Sequence, residues 1–146
     1  MKKILIAVFA CCALLQVRAA DLNWLTDLPK AEAQAKAENK LVLMDFTGSD
    51  WCPWCIKLDN EILSKPEFTD YAKTNLVLVL VDFPAHKQQS DDLKKANAAL
   101  ETKYNVEGFP TLIALKPDGT VVWTQVGYFE GGPKALIDKL DEATKK

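Results

Sequence analysis

The sequence predicts a single α/β domain, a mixed central β-sheet flanked by helices on both faces. Three observations predict it. Two apolar runs, 41–46 (broken only by Asp45) and 76–81, alternate with segments of helical composition, the pattern of parallel strands joined by helical crossovers. A later pair of strand-like runs, 112–115 and 121–126, is joined by Lys116-Pro117-Asp118-Gly119, whose Asp-Gly is a hairpin signal and adds antiparallel strands. Setting aside a leader of nineteen residues leaves 127 of the 146, a length that builds one core.

The leader is read from its pattern. Lys2 and Lys3 form a positive start, and residues 4–15 are an apolar stretch short of a comfortable membrane span. Val17-Arg18-Ala19 then offers a cleavage point after Ala19, with the mature domain running over 20–146. The competing reading is a lipoprotein anchored through Cys11 or Cys12, against which Phe9 and the short run before Cys11 both speak. Losing Lys2, Lys3 and Arg18 with no acidic residue takes the net charge from −2 to −5. A mildly acidic domain with no basic cluster is not built for nucleic acid or for an anionic membrane surface.

In chain order, Asp27 before Leu28-Pro29 reads as a helix N-cap with proline in the first turn. Segment 30–38 is rich in the helix formers Ala, Glu, Gln and Lys, and Asn39-Lys40 ends it. Run 41–46 is apolar except at Asp45, as in a strand covered on both faces. A helix is expected from Cys52 to about Leu63, a break at Ser64-Lys65-Pro66-Glu67, and a short helix to about Lys73. Segment 75–83 holds the strongest strand signal, closed by Pro84. After a polar stretch, Leu93, Ala96, Leu100 and Tyr104 recur at helical spacing, with Lys94, Lys95, Glu101 and Lys103 on the wet side. Gly108-Phe109-Pro110-Thr111 interrupts before the hairpin, and Gly131-Gly132-Pro133 opens a last helix with Leu136, Ile137 and Leu140 on its apolar side.

The chemistry lies in Cys52-Pro53-Trp54-Cys55 at the start of the second helix. With the leader gone, these are the two cysteines left in the chain. A bridge between near neighbours removes little unfolded-chain entropy, so the pair reads as redox-active and not as a staple. A helix start presents unpaired N–H groups and the positive end of the dipole, which favour a thiolate at Cys52. Cys55, three residues on, is the natural resolving thiol. Pro53 costs no helical hydrogen bond at that position, and Trp54 adds apolar area without charge. The competing reading, a metal pair, wants four soft ligands, and the mature chain offers two cysteines and one histidine. No metal and no cofactor beyond the Cys52–Cys55 disulfide is expected. The single histidine, His86, reads as a solvated loop residue.

Asp45-Phe46 ahead of Trp51-Cys52-Pro53-Trp54-Cys55, with Gly108-Phe109-Pro110-Thr111 downstream, resembles the thioredoxin superfamily over about residues 40–140. The run Asp45-Phe46-Thr47-Gly48-Ser49-Asp50-Trp51-Cys52 and the leader are similar to bacterial periplasmic thioredoxin-like reductases, of the DsbH type and of the C-terminal domain of DsbD. The resemblance implies the thioredoxin fold and a periplasmic thiol–disulfide oxidoreductase. It implies a cis peptide bond before Pro110 and, at Phe109, backbone groups offered to an extended substrate segment. Trp51, Pro53, Trp54, Phe109, Pro110 and Gly127 become the expected substrate-facing residues. Asp45 becomes a proton relay for Cys55; it stands seven residues before the first cysteine, where thioredoxin has six, and the lysine that accompanies it there falls on Leu78. Against this stands the plain reading of a strand-end aspartate that caps the turn. Segment 85–97 is longer than thioredoxin requires, as a partner-recognition addition or a plain helix extension.

Expected partners are exported proteins carrying disulfides and a membrane electron donor of the DsbD or CcdA type, with the domain acting as a monomer. Three functions stay in play: a reductase, an oxidase or isomerase using the same pair, and a binding module without turnover. The Pro53-Trp54 side chains give a thiolate neither charge nor hydrogen bonds, which favours a reducing couple and hence the reductase.

Overall fold

The computed structural model describes residues 22–145; the leader, with Cys11 and Cys12, lies outside them. The chain opens on β1 (Trp24–Leu25), followed by α1 (Leu28–Glu38) and β2 (Leu41–Thr47). Next come α2 (Pro53–Leu58), a single π turn (Asp59–Leu63), α3 (Pro66–Asn75) and β3 (Leu76–Asp82). Then follow α4 (Asp91–Lys103), β4 (Thr111–Leu115), β5 (Val121–Val126) and α5 (Gly132–Thr144).

The five strands form one sheet in the order β1-β3-β2-β4-β5. β3 pairs parallel with β1 and β2, whereas β4 runs antiparallel to β2 and β5 antiparallel to β4. The sheet is therefore mixed, as the alternation and the hairpin predict. All seven residues of β2 are buried, which explains its unbroken apolar run: both faces are covered. One face packs Leu43, Leu78, Leu112 and Ala114 against Leu58, Ile62, Phe68, Leu136 and Leu140. The other packs Met44, Phe46, Val79, Val81 and Ile113 against Ala31 and Ala35.

The local signals fold as their chemistry dictates. Asp27 caps α1, its carboxylate accepting from the Lys30 N–H at 3.0 Å. Asn39 ends that helix in the left-handed region, φ 53°. The hairpin turn closes with the Gly119 N–H donating to the Lys116 carbonyl at 2.9 Å, Gly119 taking φ +84°.

One expectation is corrected. Ala96 is exposed, and the buried position on α4 is Asn97, whose amide donates to the Asp82 carbonyl at 2.8 Å. A polar side chain replaces the apolar one because the end of β3 has an acceptor to satisfy. On β3, the residue in register with Asp45 is Leu80, whereas Leu78 faces Leu43. The strand neighbour of Asp45 on β3 is thus a leucine and not a lysine.

Candidate active site

β2 is the middle strand of the sheet, and its carboxyl end delivers the chain into the turn 48–51 and then α2. The turn is closed by the N–H groups of Trp51 and Cys52, both donating to the Gly48 carbonyl at 3.2 and 2.9 Å. Gly48 is required for room: a Cβ there would fall 2.5 Å from the Trp51 ring. Cys52 is the N-cap of α2, and Pro53 occupies the first turn without forfeiting a hydrogen bond.

Cys52 and Cys55 form a disulfide. The hydrogen bonds that reach the sulfurs come from backbone N–H groups: Cys55 to Sγ of Cys52 at 3.2 Å and Gly48 to Sγ of Cys55 at 3.5 Å. The cysteines are 4 % and 3 % exposed, so exposure does not rank them. What separates them is what lies behind: Cys55 lines a cavity of about 260 Å³ with Asp45, Thr47, Ser49, Asp59, Trp24 and Leu80, and Cys52 does not.

Asp45 is buried, and one of its carboxylate oxygens, Oδ1, has no hydrogen-bond partner. Desolvation, followed by repulsion from Asp59 and Asp82, raises its carboxyl from the ordinary 3.8 to about 7. A group poised near neutrality, in one cavity with Cys55, can exchange a proton with that thiol.

On the opposite side, the Phe109–Pro110 peptide bond is cis. An open groove runs past it, lined by Trp54, Phe109, Pro110, Gly127, Tyr128 and Glu130. Gly127 has φ +79° and donates its N–H to the Pro110 carbonyl at 2.8 Å, which ties the start of β4 to the end of β5. Trp51 and Trp54 are about half exposed, at 47 % and 56 %. Trp51 meets Phe109 edge-on with centroids 6.2 Å apart. Thus Trp51, Trp54, Phe109, Pro110 and Gly127 come together at and beside this groove, although they are scattered over 77 positions of the chain.

Several members of the site carry no sequence signal of their own. Tyr128 lies 5.9 Å from Trp54, donates its hydroxyl to Glu61 at 2.6 Å, and has Lys57 over its ring at 4.6 Å. Asp59 reads as one surface acid among twenty acidic residues until the helix shows it four places beyond Cys55, on the cavity side. Its spacing from Cys55 is the one clue that could have found it. His86 is exposed on the loop after β3, as expected of a solvated histidine. Among the described residues, no group of three or more His, Cys, Asp or Glu side chains is placed to hold a metal ion.

A cysteine pair at a helix start, a buried acid behind it and a cis-proline loop beside it define a thiol–disulfide oxidoreductase. The chain matches the thioredoxin-like domain over residues 28–144 and belongs to that family. It is 36% identical over 129 residues to the disulfide bond reductase DsbH of Chlamydia pneumoniae, covering 88% of this chain and 76% of that protein. It is 29% identical over 106 residues to the thioredoxin-related protein DsbJ of the same organism, spanning 73% of this chain and 30% of DsbJ. Among solved structures it is similar to a DsbH oxidoreductase, with a TM-score of 0.80 at 36% identity, over 90% of this chain and 92% of that one. A thioredoxin from Thermus thermophilus, at 21% identity and a TM-score of 0.62 over 84% and 87% of the two chains, shares the fold.

Proposed function

We propose that the protein is exported, loses residues 1–19, and reduces disulfides of other exported proteins in the periplasm. The observation that carries the reductase direction is the set of donors around the sulfurs. A Cys52 thiolate would receive the Cys55 N–H at the helix start, and Pro53-Trp54 brings it neither charge nor a further hydrogen bond. A modestly stabilised thiolate belongs to a reducing couple. The similarity to a disulfide bond reductase over most of both chains supports the same direction.

In the reaction, the Cys52 thiolate attacks one sulfur of a substrate disulfide. A mixed disulfide forms and the other substrate sulfur leaves as a thiolate. Cys55 gives its proton to the Asp45 carboxylate across their shared cavity and attacks Sγ of Cys52. The Cys52–Cys55 disulfide closes, the second substrate thiolate leaves, and two electrons have passed to the substrate. Trp51, Pro53, Trp54, Phe109, Pro110 and Gly127 hold the extended substrate segment. A membrane dithiol donor of the DsbD or CcdA type returns the two electrons.

Equilibration with glutathione tests the direction. The Cys52–Cys55 couple is expected to be more negative than about −200 mV, and a value near about −120 mV would make the protein an oxidase.

A further inference from the structure

The active-site turn and the loop after β3 are about thirty-five residues apart in sequence and are bound together by side chains. Oδ1 of Asp50 accepts from the Ala85 N–H at 2.8 Å, and Oδ2 accepts from the N–H groups of His86 and Lys87 at 2.8 and 2.9 Å. Successive N–H groups converging on one carboxylate make a small anion cradle. Desolvation would raise the Asp50 carboxyl, but these three donors and the neighbouring His86 hold it below its usual range.

The residues on either side of Asp50 reach the same loop. Ser49 donates its N–H and hydroxyl to the Asp82 carboxylate at 3.0 and 2.6 Å, and its hydroxyl accepts from Lys87 Nζ at 3.0 Å. Trp51 Nε1 donates to the Phe83 carbonyl at 2.7 Å. From there the contacts cross to the proline loop: the Phe83 ring stacks on Phe109, with centroids 4.9 Å apart and planes 21° from parallel. The far end of the loop is fixed by Gln89 and Asn97, both donating to the Asp82 carbonyl. An unbroken series of contacts thus leads from Asp50 through residues 83–87 to the residue before the cis-proline.

We propose that Asp50 is a positioning residue for protein substrates: its carboxylate fastens the 83–87 loop, which holds Trp51 against Phe109 at the edge of the groove. Its own hydrogen bonds go to the loop and not to the sulfurs, so it acts on recognition and leaves the thiol chemistry alone. The role serves thiol–disulfide exchange in either direction of electron flow. It also gives the lengthened segment after β3 a purpose, as a brace between the two halves of the active surface.

The test compares a protein disulfide with a small one that needs no groove. With Asp50→Asn, kcat/KM for insulin reduction is expected to fall about tenfold through KM, the scale of one lost charge-assisted hydrogen bond. The rate with 5,5′-dithiobis(2-nitrobenzoic acid) and the equilibrium with glutathione are expected to stay within about twofold, since neither engages the loop. Phe83→Leu, which removes the stacking partner of Phe109 and leaves the cradle intact, is expected to give the same split; it carries the test if Asp50→Asn fails to fold. Equal losses on both substrates, a shifted equilibrium with glutathione, or a folded variant unchanged on insulin would each overturn the assignment.

Discussion

Replacing Cys55 by alanine leaves a protein that attacks disulfides and cannot release them. In cells making Cys55→Ala, Cys52 is expected to be found in mixed disulfides with exported proteins, visible as high-mass bands on non-reducing gels that collapse on reduction. Multiple turnover in a disulfide-reduction assay should fall by at least about a thousandfold, because the intramolecular resolving step is replaced by a bimolecular one with a far lower effective thiol concentration. Cys52→Ala should lose the activity equally and trap nothing. The reverse pattern, adducts with Cys52→Ala and none with Cys55→Ala, would exchange the two roles.

The second large effect concerns Asp45 and runs through stability as well as rate. Its carboxyl is raised from 3.8 to about 7 by desolvation and by Asp59 and Asp82, so the folded chain keeps this proton to higher pH than the unfolded chain does. The stabilisation is fully present below about pH 4 and is lost as pH rises toward about 7. At pH 8 the ionised, enclosed carboxylate costs up to roughly 4 kcal/mol. Asp45→Asn is therefore expected to stabilise the oxidised protein at pH 8 by a substantial part of that amount, and to flatten the fall between pH 4 and 8, as read by urea unfolding. The same variant should slow release of the mixed disulfide by about a hundredfold, the usual scale of a lost proton-transfer group. A wild-type protein equally stable at pH 5 and pH 8 would remove Asp45 from this role. Under the proposed reaction, such a site trades stability for a proton acceptor in the cavity that Cys55 lines.

The central strands, the hairpin and the cysteine helix were legible because each rests on a local cause: burial on both faces, an Asp-Gly turn, a helix start. β1 was not, since Trp24 and Leu25 are too few to show a period and gain strand geometry only by pairing with Leu78 and Val79. The residue at the core of α4 was misplaced by one, Ala96 for Asn97, because hydrophobicity cannot register a buried amide recruited by a backbone carbonyl 15 residues away. The site divides along the same line. Cys52, Cys55 and Asp45 are visible as residue types in a short window, and Phe109-Pro110 through a family pattern. Asp59 is betrayed only by its helical spacing from Cys55, whereas Tyr128 and the Asp50 cradle exist only through tertiary contact, and no spacing along the chain encodes the meeting of Asp50 with residues 85–87.

Under the proposed function, the cis-proline groove and the aromatic residues around it are the one docking face for Cys52, next to a strand buried along its whole length. Under the reaction proposed, a substrate protein and an electron donor must therefore use the same doorway, one after the other. Both cannot be seated together, and an excess of either client excludes the other. Recharging is in this sense a traffic problem: the oxidised chain must be vacated before it can be refilled. Discrimination between incoming and outgoing electrons then rests on the state of two sulfur atoms, because the rim that greets both visitors is the same.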